Sequence, residues 1–386
     1  MDRSKWEVDN KTFGEVFDLF MGRTPSRDND SYWQSGKYEW LSIGDMGETK
    51  YLSKTKEMVS EEAVANMQQV PENTVVMSFK LSIGKVGITS IPLYTNEAIM
   101  AFPPKEGYHI LPTFLYYYLQ AYKWQPANRA VMGKTLNKAV ISNSKISIPN
   151  VEDQQRIVEE LDCLNDMIAV KQEQLKEFDK LAQSIFYDMF GDPVTNEKGW
   201  DMSCLNEVCN GIGDGLHGTP QYDENGKIAF INGNNLIDGK IVITEKTQFV
   251  SEDEAYKIYV ELDTNTILLS INGTLGKTAI YNNEQVVLGK SACYIKLTNQ
   301  LNVQFVMALM NTSEFMDFLE NNSSQSTIKN VGLKAIRNYK IIIPPLALQQ
   351  EFAEKISAIE DQKKLVKQSI AETQRLLDYT MDKYFG

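Results

Sequence analysis

The hydrophobic pattern changes period abruptly at two places in the chain. Before Pro149 and before Pro344, apolar residues come in short β-branched runs such as TVVMSF (74–79), TILLSI (266–271), SKISIP (144–149) and YKIIIP (339–344). Runs this short, followed by Gly-rich turns, predict strands. After each Ile-Pro the apolar positions recur by four and three. The first series is Ile157, Leu161, Leu164, Ile168, Lys171, Leu175, Phe178, Ala182, Ile185 and Met189. The second is Phe352, Ile356, Ile359, Lys363, Val366, Ile370, Thr373, Leu377, Thr380 and Tyr384. A 3.5-residue period held for four heptads predicts two long helices that pair as a coiled coil, the alternative being that each lies on its own domain. Lys171, Lys363 and the two threonines interrupt the seams. A helix of about 38 residues would be roughly 57 Å long. Shorter helices are expected at 111–122 and 304–319.

The two halves repeat each other. IPNVEDQQRIVEEL (148–161) and IPPLALQQEFAEKI (343–356) are offset by 195, EWLSIGDM (39–46) and AFINGNNL (229–236) by 190, and NTVVMSFKLSIGKVGIT (73–89) and NTILLSINGTLGKTAIY (265–281) by 192. GKTLNKAVISNSKISIP (133–149) and QSTIKNVGLKAIRNYKIIIP (325–344) follow in the same order. A unit of about 190 residues, an α+β domain followed by a long helix, is therefore written twice. Two copies are too few for a solenoid and imply a pseudo-dyad with two similar binding surfaces.

Charge and chemistry narrow what these surfaces do. The net charge is −12. It is uneven: 1–150 carries +1, 151–190 carries −6, 191–344 carries −6 and 345–386 carries −1. The central helix holds much of the acid, so a nucleic-acid surface would have to concentrate its bases locally or share a partner's positive field. Four scattered cysteines and two distant histidines give no metal-ligand spacing. No apolar run reaches the length of a membrane span, and MDRSKWEVDN at the start is too polar for a signal peptide, which places the expected location in the cytoplasm. GIGDGLHG (211–218) lacks the glycine spacing of a phosphate cradle. IPPL (343–346) lacks the amide and the aromatic ring of a base-methylation tetrapeptide. No carboxylate pair recurs in both halves. The chain reads as non-catalytic.

What recurs instead is polar, Gly-containing loop sequence, suited to reading base edges and phosphates. In the first half the candidates for DNA contact are Arg23, Thr24, Ser26, Arg27, Ser42, Asp45, Lys80, Ser82, Lys85, Lys134, Asn137 and Lys138. In the second they are His217, Thr219, Asn232, Asn234, Asn235, Asn272, Thr274, Lys277, Ser326, Lys329, Asn330 and Lys334.

GRTPSRDNDSYWQSGKYEWLSIGDM and GDGLHGTPQYDENGKIAFINGNNL, the turns SIGKVGI and LGKTAI, and the helices flanked by Ile-Pro, Gln-Gln and Phe-Gly resemble, along essentially the whole chain, a Type I restriction-modification specificity subunit. The resemblance implies two tandem target recognition domains (1–150 and 192–344) joined by two conserved helical regions (151–191 and 345–386) that pack as an antiparallel coiled coil. Each domain would read one half of a bipartite double-stranded DNA site, and the helices would set the spacer. It also implies that two methylation subunits dock on the helices, with Gln154, Gln155, Gln349 and Gln350 as candidates, and that restriction/translocase subunits join. S-adenosylmethionine, ATP and magnesium would belong to those partners, leaving no cofactor in this chain. The second domain departs from expectation in its arginine content, Arg337 being alone between 191 and 344. A protein-protein scaffold with duplicated heads is the other reading of the repeat.

Overall fold

The computed structural model describes residues 8–34, 36–47, 49–80, 82–124 and 136–386. The chain divides into two compact units, one of residues 1–171 with 369–386 and the other of residues 172–368. Each unit holds a mixed α/β head together with one stretch of each long helix.

In the first unit, strands Val75–Ser78 and Val86–Thr89 form an antiparallel hairpin with Met77 opposite Val86. Both are buried along their length, which is why their sequences run apolar without alternating. Ile99–Ala101 and Tyr51–Leu52 flank the hairpin, and Phe20–Met21 pairs beyond Ile99–Ala101 to complete a five-stranded sheet. A second sheet sets Tyr38–Leu41 between Glu57–Val59 and Tyr94–Thr95, the last pairing being parallel. The first strand, Val8–Thr12, pairs with the last, Lys145–Ile148, so the head closes on its own ends.

The second unit repeats these pairings. Thr266–Ser270 and Thr278–Ile280 form the hairpin, Ile228–Ile231 lies between Gln248–Val250 and, in parallel, Val286–Leu288, and Asp201–Cys204 pairs with Lys340–Ile343. The helix expected over 304–319 is two helices, Val303–Met310 and Ser313–Asn321. Thr312 breaks it by accepting a hydrogen bond from the Phe315 amide, an N-cap that restarts the chain in a new direction.

The long helices are Val151–Phe190 and Leu346–Phe385, 40 residues each. Asn150 caps the first by accepting the Asp153 amide, 2.8 Å, and Gly191, at φ +75°, ends it. They run antiparallel within each unit. In the first, Tyr384 hydrogen-bonds Glu160 and Lys171 donates to Thr373 at 2.8 Å. In the second, Lys363 meets Asp179 at 2.8 Å and Phe352 packs on Phe186. Three of the polar interruptions in the heptads, Lys171, Lys363 and Thr373, are therefore partnered groups. Burial pulls Lys363 down, but hydrogen bonds to Asp179 and Glu360 outweigh it and hold the ammonium above the ordinary lysine range.

Each head also packs on the start of one long helix and the end of the other. Ile157, Leu161 and Leu164 share the first core with Leu377 and Tyr384. Phe352, Ile356 and Ile359 share the second core with Phe186 and Phe190.

Candidate nucleic-acid interface

The Gly-Lys turns are the most closely repeated feature of the two heads. In the first, the Ser78 hydroxyl donates to the Ser82 carbonyl, the Gly84 amide to the Ser78 carbonyl at 2.9 Å and the Ser78 amide to the Lys85 carbonyl at 2.9 Å. In the second, the Ser270 hydroxyl donates to the Thr274 carbonyl (2.5 Å), the Gly276 amide to the Ser270 carbonyl (2.9 Å) and the Ser270 amide to the Lys277 carbonyl (2.8 Å). Gly84 and Gly276 sit at φ +90° and +80°, where an L side chain is strained. The turns hold Ser82 and Thr274 exposed, with Lys80 and Asn272 half-buried beside them.

The lysines that follow differ. Lys85 turns inward and donates to the carbonyls of Ile43 (3.2 Å) and Met46 (2.9 Å), so it fixes the neighbouring turn and is not a free cation. Lys277 is half-buried and has no such bond among the described residues.

That neighbouring turn is a capping lock in both heads. Ser42 donates through its amide and its hydroxyl to Asp45, at 2.9 and 2.6 Å, and Asp45 also accepts the Lys56 amide. The Asn232 amide donates to Asn235 at 3.0 Å, and Asn235 donates to Val242 and Thr247. Asn235 is only 4% exposed and fully partnered, which removes it from the candidate contacts. Asn232 is tied to the Asn234 amide, and the Asn234 side chain is left exposed.

The opening loops carry the remaining polar groups. Arg27 makes a bidentate pair with Glu57 at 2.5 and 2.9 Å and stacks 3.6 Å over the Trp33 ring. Its fork is thereby occupied, and it shapes the loop instead of reaching outward. Thr24 donates to Glu97 at 2.5 Å, the Ser26 carbonyl accepts Trp33, and Arg23 is exposed. In the second head His217 lies 2.7 Å from Asp214, and Thr219 is exposed.

Ser326, Lys329 and Asn330 belong to a loop laid against the second Gly-Lys turn: the Gly273 amide donates to the Lys329 carbonyl and the Val331 amide to Ile271, both 2.9 Å. Lys329 pairs with Glu320, Ser326 donates to the Ile328 carbonyl and Lys334 is exposed. In the first head Asn137 accepts the Val140 amide as a helix cap and Lys138 is exposed, whereas Lys134 lies outside the described residues.

Gln154 and Gln349 are corrected by their burial, 1% and 0% exposed. Gln154 accepts the Leu111 amide and donates to the His109 and Pro149 carbonyls; Gln349 accepts the Asn302 amide and donates to Gln300 and Pro344. Leu111 and Asn302 are the N-cap residues of helices Pro112–Ala121 and Val303–Met310. Each glutamine therefore ties a head to its long helix, and neither can touch a partner. Gln155 and Gln350 are exposed.

Arg337 donates to the Ile212 carbonyl at 2.7 Å and is structural. Two residues that the motifs do not single out, Glu97 and Lys290, lie exposed among these loops.

A family model described as Type I restriction modification DNA specificity domain matches residues 4–179 and 197–375. The chain is 25% identical over 393 residues to the Type I restriction enzyme MjaIX specificity subunit of Methanocaldococcus jannaschii, covering 90% of this chain and 85% of that one. It is 31% identical over 167 residues, 40% of each chain, to the Type I restriction enzyme EcoR124I/EcoR124II specificity subunit of Escherichia coli. Among solved structures, a chain from a study of complex assembly and conformational transition of the type I R-M system aligns with TM-score 0.62 at 18% identity, covering 99% of this chain and 98% of that one. The S subunit of a Type-I restriction-modification system from M. genitalium aligns with TM-score 0.51 at 16% identity, covering 98% and 96%. At these identities the two structures establish the fold.

Proposed function

Because the chain belongs to the family of Type I restriction modification DNA specificity domains, which its sequence matches twice, we propose that it is the non-catalytic targeting chain of a restriction-modification complex. The heads at 1–150 and 192–344 each read one half of a bipartite double-stranded DNA site. The helical regions 151–191 and 345–386 set the unspecified gap and dock two methylation subunits, and restriction/translocase subunits complete the assembly in the cytoplasm. S-adenosylmethionine, ATP and magnesium are supplied through those partners.

The observation that carries this reading is the repetition of one loop scaffold with different side chains on it. The Ser-to-Gly turn and the capping lock keep the same backbone bonds in both heads. Lys80 and Ser82 become Asn272 and Thr274. A fixed frame carrying variable polar groups is what reading two different short sequences requires. Docking is supported on the central helix by a groove in which Val158, Met167 and Val170 lie beside Glu159, Asp162 and Asp166. Val170 is 68% exposed there, an apolar surface rimmed by acid.

The test is to co-express the chain with a type I methylation subunit and sequence the host DNA for N6-methyladenine. Methylation at one split motif with a fixed gap is expected. Co-purification without any methylated motif would overturn the targeting role.

A further inference from the structure

One matched position of the two heads carries opposite charge. The Arg23 amide donates to the Thr95 carbonyl (2.9 Å), and the Leu216 amide to Leu288 (2.8 Å). Asn96 donates to Leu41 (3.1 Å) as Gly289 does to Ile231 (2.8 Å), and Ile99 to Asn96 (3.3 Å) as Ala292 does to Gly289 (3.0 Å). Phe79, entering the Gly-Lys turn, donates to Ala98 (2.9 Å), and Ile271 to Ser291 (3.1 Å). These bonds align residues 95–99 with 288–292 without a gap. Gly22 and Gly215 repeat the same close approach: a Cβ would lie 1.7 Å from the Thr95 carbonyl oxygen in one head and 1.9 Å from that of Leu288 in the other. Within this shared frame Glu97 corresponds to Lys290.

Both side chains are exposed, between the opening loop and the Gly-Lys turn. Thr24 donates to one Glu97 oxygen at 2.5 Å, and that bond leads the causes holding the carboxyl below the usual glutamate range; Lys80 adds to it. The carboxylate stays exposed to solvent. The Lys290 amide donates to the Leu216 carbonyl (3.0 Å), but its ammonium has no hydrogen-bond or ion-pair partner among the described residues. A carboxylate only accepts and an ammonium only donates, so the two positions demand opposite partners. Phosphates repel a carboxylate, which leaves a base-edge donor as its favourable contact on DNA.

We infer that this position sets base choice in each half-site, Glu97 accepting from an exocyclic amino group, foremost cytosine N4, and Lys290 donating to the acceptor edge of guanine. The inference rests on the reading that the heads contact DNA. Thr24 is a positioning residue that orients Glu97.

The experiment uses the full chain assembled with its methylation subunit and reads the methylated motif for Glu97→Gln and Lys290→Ala, with filter binding to cognate and random duplexes across a salt series. Glu97→Gln is expected to relax or change one base of one half only, and Lys290→Ala one base of the other half. Each should cut binding to the cognate site by about tenfold or more. A motif unchanged by both variants, or both acting on the same half, overturns the inference. So does a Lys290→Ala variant that weakens cognate and random DNA equally while the salt slope falls by about one, the mark of a phosphate contact. If either variant fails to assemble, Glu97→Asp and Lys290→Arg are judged by the same criteria. Failure of the underlying reading looks different, because the unaltered complex would then yield no split motif.

Discussion

Replacing Gln349 by alanine removes three hydrogen bonds at one buried point. The Asn302 amide and the Gln300 and Pro344 carbonyls lose partners at 2.8, 3.2 and 2.8 Å, where the glutamine is 0% exposed. At about 1 kcal/mol for each lost bond, the change costs about 3 kcal/mol. Asn302 also caps helix Val303–Met310, accepting the Gln304 amide at 2.9 Å, so the loss loosens the seat of that helix. For a unit of this size, 1 kcal/mol moves Tm by about 2–4 °C, giving an expected fall of about 6–12 °C. Gln350→Ala, one residue on and exposed, should stay within about 0.5 kcal/mol of the parent. Thermal unfolding followed by circular dichroism compares the two, with Gln154→Ala repeating the effect in the first unit. If Gln349→Ala melts with Gln350→Ala, the buried lock is not what joins head to helix and the reasoning fails.

Three further outcomes follow from the same geometry. Lys85→Met should lower Tm, because the Ile43 and Met46 carbonyls lose their donor, while Lys277→Met should leave Tm unchanged and reduce the salt slope of DNA binding by about one; equal effects in both assays would contradict the difference between the turns. Gly276→Ala should destabilise more than Gly84→Ala in denaturant unfolding, since its Cβ would meet the Met316 sulfur at 2.3 Å whereas nothing lies within 4 Å at Gly84, each carrying about 1–2 kcal/mol of left-handed strain besides. Lys363 is held above its ordinary range, so its ion pairs stabilise the fold fully below about pH 10.4 and lose that contribution as pH rises through the folded value; the Tm gap between the parent and Lys363→Met should close in alkali, and a gap unchanged there would remove the pairs from the account.

The long helices, their pairing and the duplicated heads were legible because periodicity and a near-constant offset survive in the residues themselves, whereas the antiparallel sense came only from the resemblance. The first glutamine of each Gln-Gln pair turns out to be a buried lock and not a docking residue, although the phase held the answer. Gln154 and Gln349 lie three residues before Ile157 and Phe352 and so share the buried stripe, while the next residue is turned about 100° away. Arg27 looked like a DNA contact because sequence cannot place Glu57 and Trp33 beside it. Asn235 resembled a reading residue for the same reason, its partners Val242 and Thr247 lying beyond a turn of unknown geometry. The break at Thr312 is visible in hindsight as a Thr-Ser-Glu cap inside an apolar run. Glu97 and Lys290 left no motif at all; the parallel strand pairing and the matched backbone hydrogen bonds that follow it align them.

The central claim is that each head carries its own half of the specificity on an equivalent frame. Its most direct measurement is the methylated motif of a chain in which residues 192–344 are replaced by a second copy of 1–150, co-expressed with the methylation subunit. Both halves of the motif are then expected to carry the sequence that the first head reads in the parent. Retention of the parent motif by a folded, assembled chimera would contradict the account.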